Sequence, residues 1–143
     1  MNLSKNFTLE ELTVTNQKVP NIPSAKEIKN LTTLCAKVLQ PLRDQLGKPI
    51  KINSGYRSAS VNKAIGGAPT SQHCTGEAAD LDYDDNAMLF NLIRSHFDFD
   101  QLIWEGGDEK QPSWVHVSYK TTGNRKQVLK MKIVNGVKKY ITI

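Results

Sequence analysis

Ser71-Gln72-His73-Cys74-Thr75-Gly76-Glu77-Ala78-Ala79-Asp80 is the stretch on which the reading turns. It sets an imidazole and a carboxylate seven positions apart, with a glycine between them. Side chains that share a helix face lie three or four positions apart, so no single helix presents this pair together. A loop can, if Gly76 folds the chain back before a strand that starts at Ala78. Imidazole nitrogen and carboxylate oxygen are ligands that a borderline cation such as zinc accepts. A third ligand must come from elsewhere. The candidate is His116, central in Trp114-Val115-His116-Val117-Ser118, a short alternating run that reads as a strand. Alternation puts Val115 and Val117 on the face opposite the imidazole. Three protein ligands leave a fourth position for water, which is the catalytic rather than the structural pattern. Taken singly, these pieces do not decide. A His and an Asp at this spacing are more often chance, and a histidine between valines is more often a core residue. His96, in Arg94-Ser95-His96-Phe97, reads as exposed or structural.

Outward from this stretch, helix and strand signals alternate. Thr8 with Glu11 and Ser24 with Glu27 have the spacing of capping boxes, and Phe7 with Leu12 that of a hydrophobic staple. Residues 13–23 are polar, carry Pro20 and Pro23, and read as a loop. After Ser24, Ile28, Leu31, Leu34, Cys35, Val38, Leu39 and Leu42 recur at helical steps, and Gly47 ends the run. Pro41 inside it implies a kink or an early end. Residues 49–54, 78–82, 101–105 and 114–118 read as strands. Ser58 to Ile65 and Ala87 to His96 read as helices, the latter with Met88, Leu89, Leu92 and Ile93 on one side. Val128 to Ile143 reads as a hairpin turning at Asn135-Gly136, a pair that favours a type I′ turn. The hairpin is expected to extend or cover a sheet edge and to bring its lysines toward substrate. The fold class is α+β, a small, mostly antiparallel sheet flanked by helices.

The chain has 143 residues, 38% hydrophobic and 23% charged, which fits one soluble domain spanning 1–143. No apolar run is long enough for a transmembrane helix. Met1 to Phe7 holds no apolar h-region, so no signal peptide is read. Cys35 and Cys74 have no framework spacing and read as reduced, mostly buried thiols. The net charge of +5 suits nucleic acid, an anionic membrane or an anionic polymer. The lysines are scattered, however, and the Arg125–Lys139 cluster alternates with apolar residues like the solvated face of strands. No nucleic-acid motif is visible, and no nucleic-acid partner is expected.

A wider set of words occurs in order: Ser54-Gly55-Tyr56-Arg57-Ser58, Val61-Asn62, Gly66 to His73, Gly76 to Asp80, Phe99 to Ile103, and Trp114 to Tyr119. Together they closely resemble the zinc D-Ala-D-Ala carboxypeptidase family. The likeness is strongest to its short branch of phage-type endolysin and cell-wall peptidase domains. It covers about residues 6 to 120. The resemblance implies the fold shared by D-Ala-D-Ala peptidases and the hedgehog signalling domain. It implies one zinc ion on His73, Asp80 and His116, and a peptidoglycan peptide stem as substrate. Arg57 matches the arginine that faces substrate near the scissile bond. Ser71 matches a small polar residue whose hydroxyl holds the loop or contacts substrate.

One position departs from the pattern. Several branches place the general base three residues before the last histidine, and here that residue is Ser113. Glu105, at the end of the 101–105 strand, is the expected replacement, with Asp108 and Glu109 as weaker choices. Asp82, on the same strand face as Asp80, is expected to support a ligand histidine. The expected activity is hydrolysis of either the terminal D-Ala-D-Ala bond or an internal bond such as L-Ala-D-Glu. The competing expectation is a non-catalytic zinc-binding, cell-wall-binding module of the same fold. The chain is read as a monomer held in the cytoplasm until released to the wall, in a phage or prophage setting.

Overall fold

The structure, a computed structural model, describes residues 1–143. Both capping boxes form, with Thr8 opening α1 (Leu9–Leu12) and Ser24 opening α2 (Ala25–Leu34). Phe7 and Leu12 are both buried in the main core. The long apolar run does not end at Pro41. It continues from α2 through a π-helical turn (Cys35–Leu39) into α3 (Gln40–Leu46). Proline lacks an N–H and its ring crowds the carbonyl four residues back, and the wider π turn accommodates both defects. Gly47 then closes the helix in the left-handed conformation, φ 70°.

Six strands follow: β1 (Lys51–Ser54), β2 (Ala78–Asp82), β3 (Gln101–Glu105), β4 (Trp114–Ser118), β5 (Gln127–Val134) and β6 (Val137–Thr142). Between them lie α4 (Ala59–Ala64), capped by Ser58, and α5 (Asn86–His96), capped by Asp85. The strands form one sheet in the order β1-β2-β4-β3-β5-β6. Every neighbouring pair is antiparallel except β3 and β5, which run parallel. The fold is therefore α+β with a mostly antiparallel sheet.

Register assigns the two faces. Asp80 pairs with His116, His116 with Ile103, and Ile103 with Leu129. Directly opposed residues point to the same side of a sheet, so this row shares one face. The intervening residues Ala79, Leu81, Val115, Val117, Leu102 and Trp104 point the other way, into a core shared with α2, α3 and α5. A fully buried leucine contributes on the order of 1.5–3 kcal/mol, so this packing holds the strands in register against a slip that would turn the polar row inward. Within α5, Leu89, Phe90 and Ile93 are buried. Met88, expected on the buried side, is 46% exposed, because the stripe that meets the sheet runs through Phe90 instead. The final hairpin forms as expected, with Asn135 at φ 52° and Gly136 at φ 77°, as a type I′ turn requires. It joins the sheet by laying β5 parallel to β3.

Candidate metal centre

Three elements bring the centre together. Ser71 Oγ accepts a hydrogen bond from His73 N at 3.2 Å and starts a 3-10 turn over Gln72–Thr75. Gly76 then reverses the chain at φ 76°, and a Cβ there would stand 2.6 Å from Glu27 O. The chain enters β2 directly, which carries Asp80 onto the polar sheet face beside His116 of β4. The donor atoms of His73, Asp80 and His116 all lie within 4.8 Å of one another.

The hydrogen bonds define what these atoms offer. His73 Nδ1 lies 2.7 Å from Gly55 O, so it carries the proton and donates it to that carbonyl. Burial pushes the His73 pKa down, which favours the neutral ring, while the charge of Asp80 works in the opposite direction. Nε2 then presents a lone pair. That atom is buried with no hydrogen-bond partner, yet it lies 3.3 Å from Asp80 Oδ1. His116 Nδ1 lies 3.0 Å from the same oxygen. A lone pair facing a carboxylate oxygen at this distance is repulsive unless a cation joins them. Metal bonds of about 2.0–2.1 Å at a tetrahedral angle set their donor atoms about 3.3 Å apart. The donor set and its spacing therefore fit zinc. Burial raises the pKa of Asp80, but the imidazoles of His73 and His116 outweigh it and hold the carboxyl well below the usual carboxylate range.

Arg57 braces the centre from β1 and α4. Its Nη2 lies 3.5 Å from Asp80 Oδ2, Nε bonds Ser54 Oγ at 3.1 Å, and Nη1 bonds Asn62 Oδ1 at 3.1 Å. A guanidinium has five N–H donors, so these three contacts leave two free. Glu105 closes β3 opposite Trp114, which makes it the diagonal neighbour of His116 on the same sheet face. Diagonal neighbours are about 7–8 Å apart, within reach of a glutamate side chain. Burial raises the Glu105 carboxyl to about 6, and the negative charge of Asp80 adds to this while His116 opposes it. Arg57, Ser71, His73, Asp80, Glu105 and His116 all line one cleft of about 940 Å³.

Not every expected residue joins this group. Asp82 makes no hydrogen bond to either imidazole: its Oδ1 accepts from Asn86 Nδ2 at 2.8 Å. The backbone carbonyl of Gly55 takes the supporting role instead. Asp108 and Glu109 also lie apart. Asp108 accepts from the N–H groups of Lys110 and Gln111, and Glu109 bonds Lys130. Ser71 both holds the His73 turn and lines the cleft.

Three further residues, Asp100, Arg125 and Tyr140, had no assigned role in the sequence. Asp100 is fully buried. It accepts from Arg125 Nε at 3.0 Å, Arg125 Nη2 at 2.7 Å and Gln72 Nε2 at 2.9 Å. The turn that carries His73 is thereby tied to the start of β5. Asp100 stands inside a word that carries the resemblance, but its partner Arg125 lies beyond it. Lys138, one of the hairpin lysines expected near the site, lines the cleft together with Tyr140 of β6, which only the alternation of the hairpin marks.

Residues 5–118 match the sequence model of the Peptidase M15 family, which is most of the chain. The chain belongs to the Peptidase M15 family. Over 44 residues it is 50% identical to the zinc D-Ala-D-Ala carboxypeptidase of Streptomyces albus G. That stretch is 30% of this chain and 17% of the relative, so the chain spans only a small part of the relative's length. The M15 match takes in His73, Asp80, Glu105 and His116 and stops before the β5–β6 hairpin.

Proposed function

We propose that this protein is a zinc peptidase that hydrolyses an amide bond in the peptide stem of bacterial peptidoglycan. The observation that carries the reading is the unpartnered His73 Nε2, facing Asp80 Oδ1 with His116 Nδ1 beside it. M15 membership and the partial identity to a zinc D-Ala-D-Ala carboxypeptidase support the same chemistry. One zinc ion would be held by His73, Asp80 and His116, and would supply Lewis acidity and a water ionisable near neutral pH.

The chain's own residues supply the rest. Glu105 takes the proton from the attacking water and returns it to the leaving amine. Its raised pKa suits both halves of that exchange near neutral pH. The two free N–H groups of Arg57 bond the scissile carbonyl oxygen as it gains charge. Gly55 O fixes the His73 ring, and Asp100 holds the turn beneath it.

Incubation of purified peptidoglycan fragments with the zinc-loaded protein, followed by mass spectrometry, tests the proposal. Loss of terminal D-Ala identifies a carboxypeptidase. Release at an internal bond such as L-Ala-D-Glu identifies an endopeptidase. Zinc uptake with every fragment intact would instead support the non-catalytic module that Ser113, in place of an acid, permits.

A further inference from the structure

We propose that β6 forms the substrate-selecting wall of the cleft, with Lys138 pairing a free carboxylate of the peptide and Tyr140 standing between it and Glu105. This rests on reading the cleft as a peptide-stem site. Register carries the argument. Trp114 pairs with Glu105, Glu105 with Met131, and Met131 with Tyr140. Tyr140 therefore lies on the metal face, in the row next to that of Asp80 and His116. Lys138 is two residues before it and shares that face. Both line the cleft that holds the three candidate ligands. The wall is fixed in place by the five-residue ladder between β3 and β5 and by Gly106 N donating to Met131 O at 3.1 Å.

Charge decides what Lys138 is for. Glu109 holds Lys130 and also lies 3.5 Å from Lys132 on the opposite face of the hairpin. Lys138 has no carboxylate within ion-pair distance. It is thus an unpaired ammonium on the wall of a cleft whose proposed proton-transfer group, Glu105, lies two strands away on β3. Its matching ligand is an anionic group on the bound peptide. A carboxylate suits it, because a compact ammonium on a flexible stem pairs with single oxygens in varied geometries. Arg57 is already committed to Asp80, Ser54 and Asn62, so it serves the reacting carbonyl while Lys138 serves a more distant charge.

The test uses the zinc-loaded protein and the pentapeptide L-Ala-γ-D-Glu-L-Lys-D-Ala-D-Ala. The same peptide is also made with its D-Glu carboxylate, its C-terminal carboxylate, or both amidated. Lys138→Met should raise KM about tenfold on the free acid, the size of one charge-assisted hydrogen bond. It should leave KM on the doubly amidated peptide nearly unchanged. The singly amidated peptides show which carboxylate is read. Tyr140→Phe should have a smaller effect on KM. A loss that is equal on acid and amide, or no change on either, overturns the inference. Binding of the free-acid pentapeptide to the metal-free protein, followed by NMR titration, separates this inference from the catalytic reading. Tenfold weaker binding by Lys138→Met, with no cleavage by the wild type, would retain the wall and remove the peptidase. Cleavage with binding that ignores Lys138, or no binding by the wild type, would remove the wall.

Discussion

On one side of the cleft His73, Asp80 and His116 are 2–9% exposed, and on the other Tyr140 of β6 is 52% exposed. The two sides are built differently throughout. β2 and β4 lie inside the sheet, with strands on both edges and a fully buried apolar layer beneath. Two of the three candidate ligands have a second partner: His73 has Gly55 O, and Asp80 has Arg57. β6 is an edge strand that pairs only with β5 and has no buried residue. The difference assigns different tasks. Metal geometry tolerates little movement and sits where packing allows none. The proposed recognition of a peptide tolerates exchange of side chains and would fall at an edge, outside the stretch matched to the M15 family.

The largest expected effect falls on the buried side. Glu105→Gln should keep the fold and the metal and reduce kcat by roughly 10²–10⁴-fold, the usual contribution of a positioned acid–base group. Steady-state kinetics with metal analysis of the same sample checks this. Near-normal turnover would show that Glu105, though buried beside His116, takes no part in proton transfer.

The joint between the two sides should show the next effect, in stability. Arg125 holds the Asp100 carboxyl at about 2, below its ordinary value, despite the opposing effect of burial. A lowered carboxyl stabilises the folded state at pH above its unfolded value of about 4, and that contribution is lost as pH falls through about 2. Asp100→Asn should lack this component. It should also destabilise the protein at neutral pH by roughly 1–3 kcal/mol, the scale of hydrogen bonds to a charged acceptor. Urea midpoints from pH 7 to pH 2 check both points: the gap between wild type and variant should narrow in acid. A constant gap would mean that Asp100 acts only through its shape.

The smallest effect belongs to the exposed side. Gly136→Ala places a Cβ at φ 77°, which costs on the order of 1 kcal/mol. Because β6 is an edge strand, the cost should appear locally. Its amides should exchange hydrogen several-fold faster while those of β2 and β4 do not change. Uniform acceleration across the sheet would show that the hairpin and the metal side unfold as one unit.

The same contrast explains what the sequence disclosed. The clustering of His73, Asp80 and His116 was legible because a ligand set needs particular atoms, and such residues recur in fixed words. The hairpin was legible because a type I′ turn needs positive φ at both central residues, which Asn135-Gly136 supplies. Strand alternation also put Glu105 at the right end of β3. The sequence was silent where the partner is backbone or remote. Nothing in the words around His73 points to Gly55 O, and Asp82 looked suited to a task that Gly55 performs. Asp100 and Arg125 are 25 residues apart and meet only because β5 lies parallel to β3. Proline at 41 marked a defect in the helix but did not reveal that a π turn would absorb it. The sequence treated the lysines of the hairpin as one set, whereas the register sends Lys138 to the cleft and Lys130 and Lys132 to the far side.

Anomalous diffraction at the zinc edge, from crystals of the protein grown with one equivalent of zinc, tests the central claim most directly. The account predicts a single strong peak about 2.0–2.2 Å from His73 Nε2, Asp80 Oδ1 and His116 Nδ1. A peak elsewhere, or none at this site with the three side chains still clustered around a proton, would contradict it.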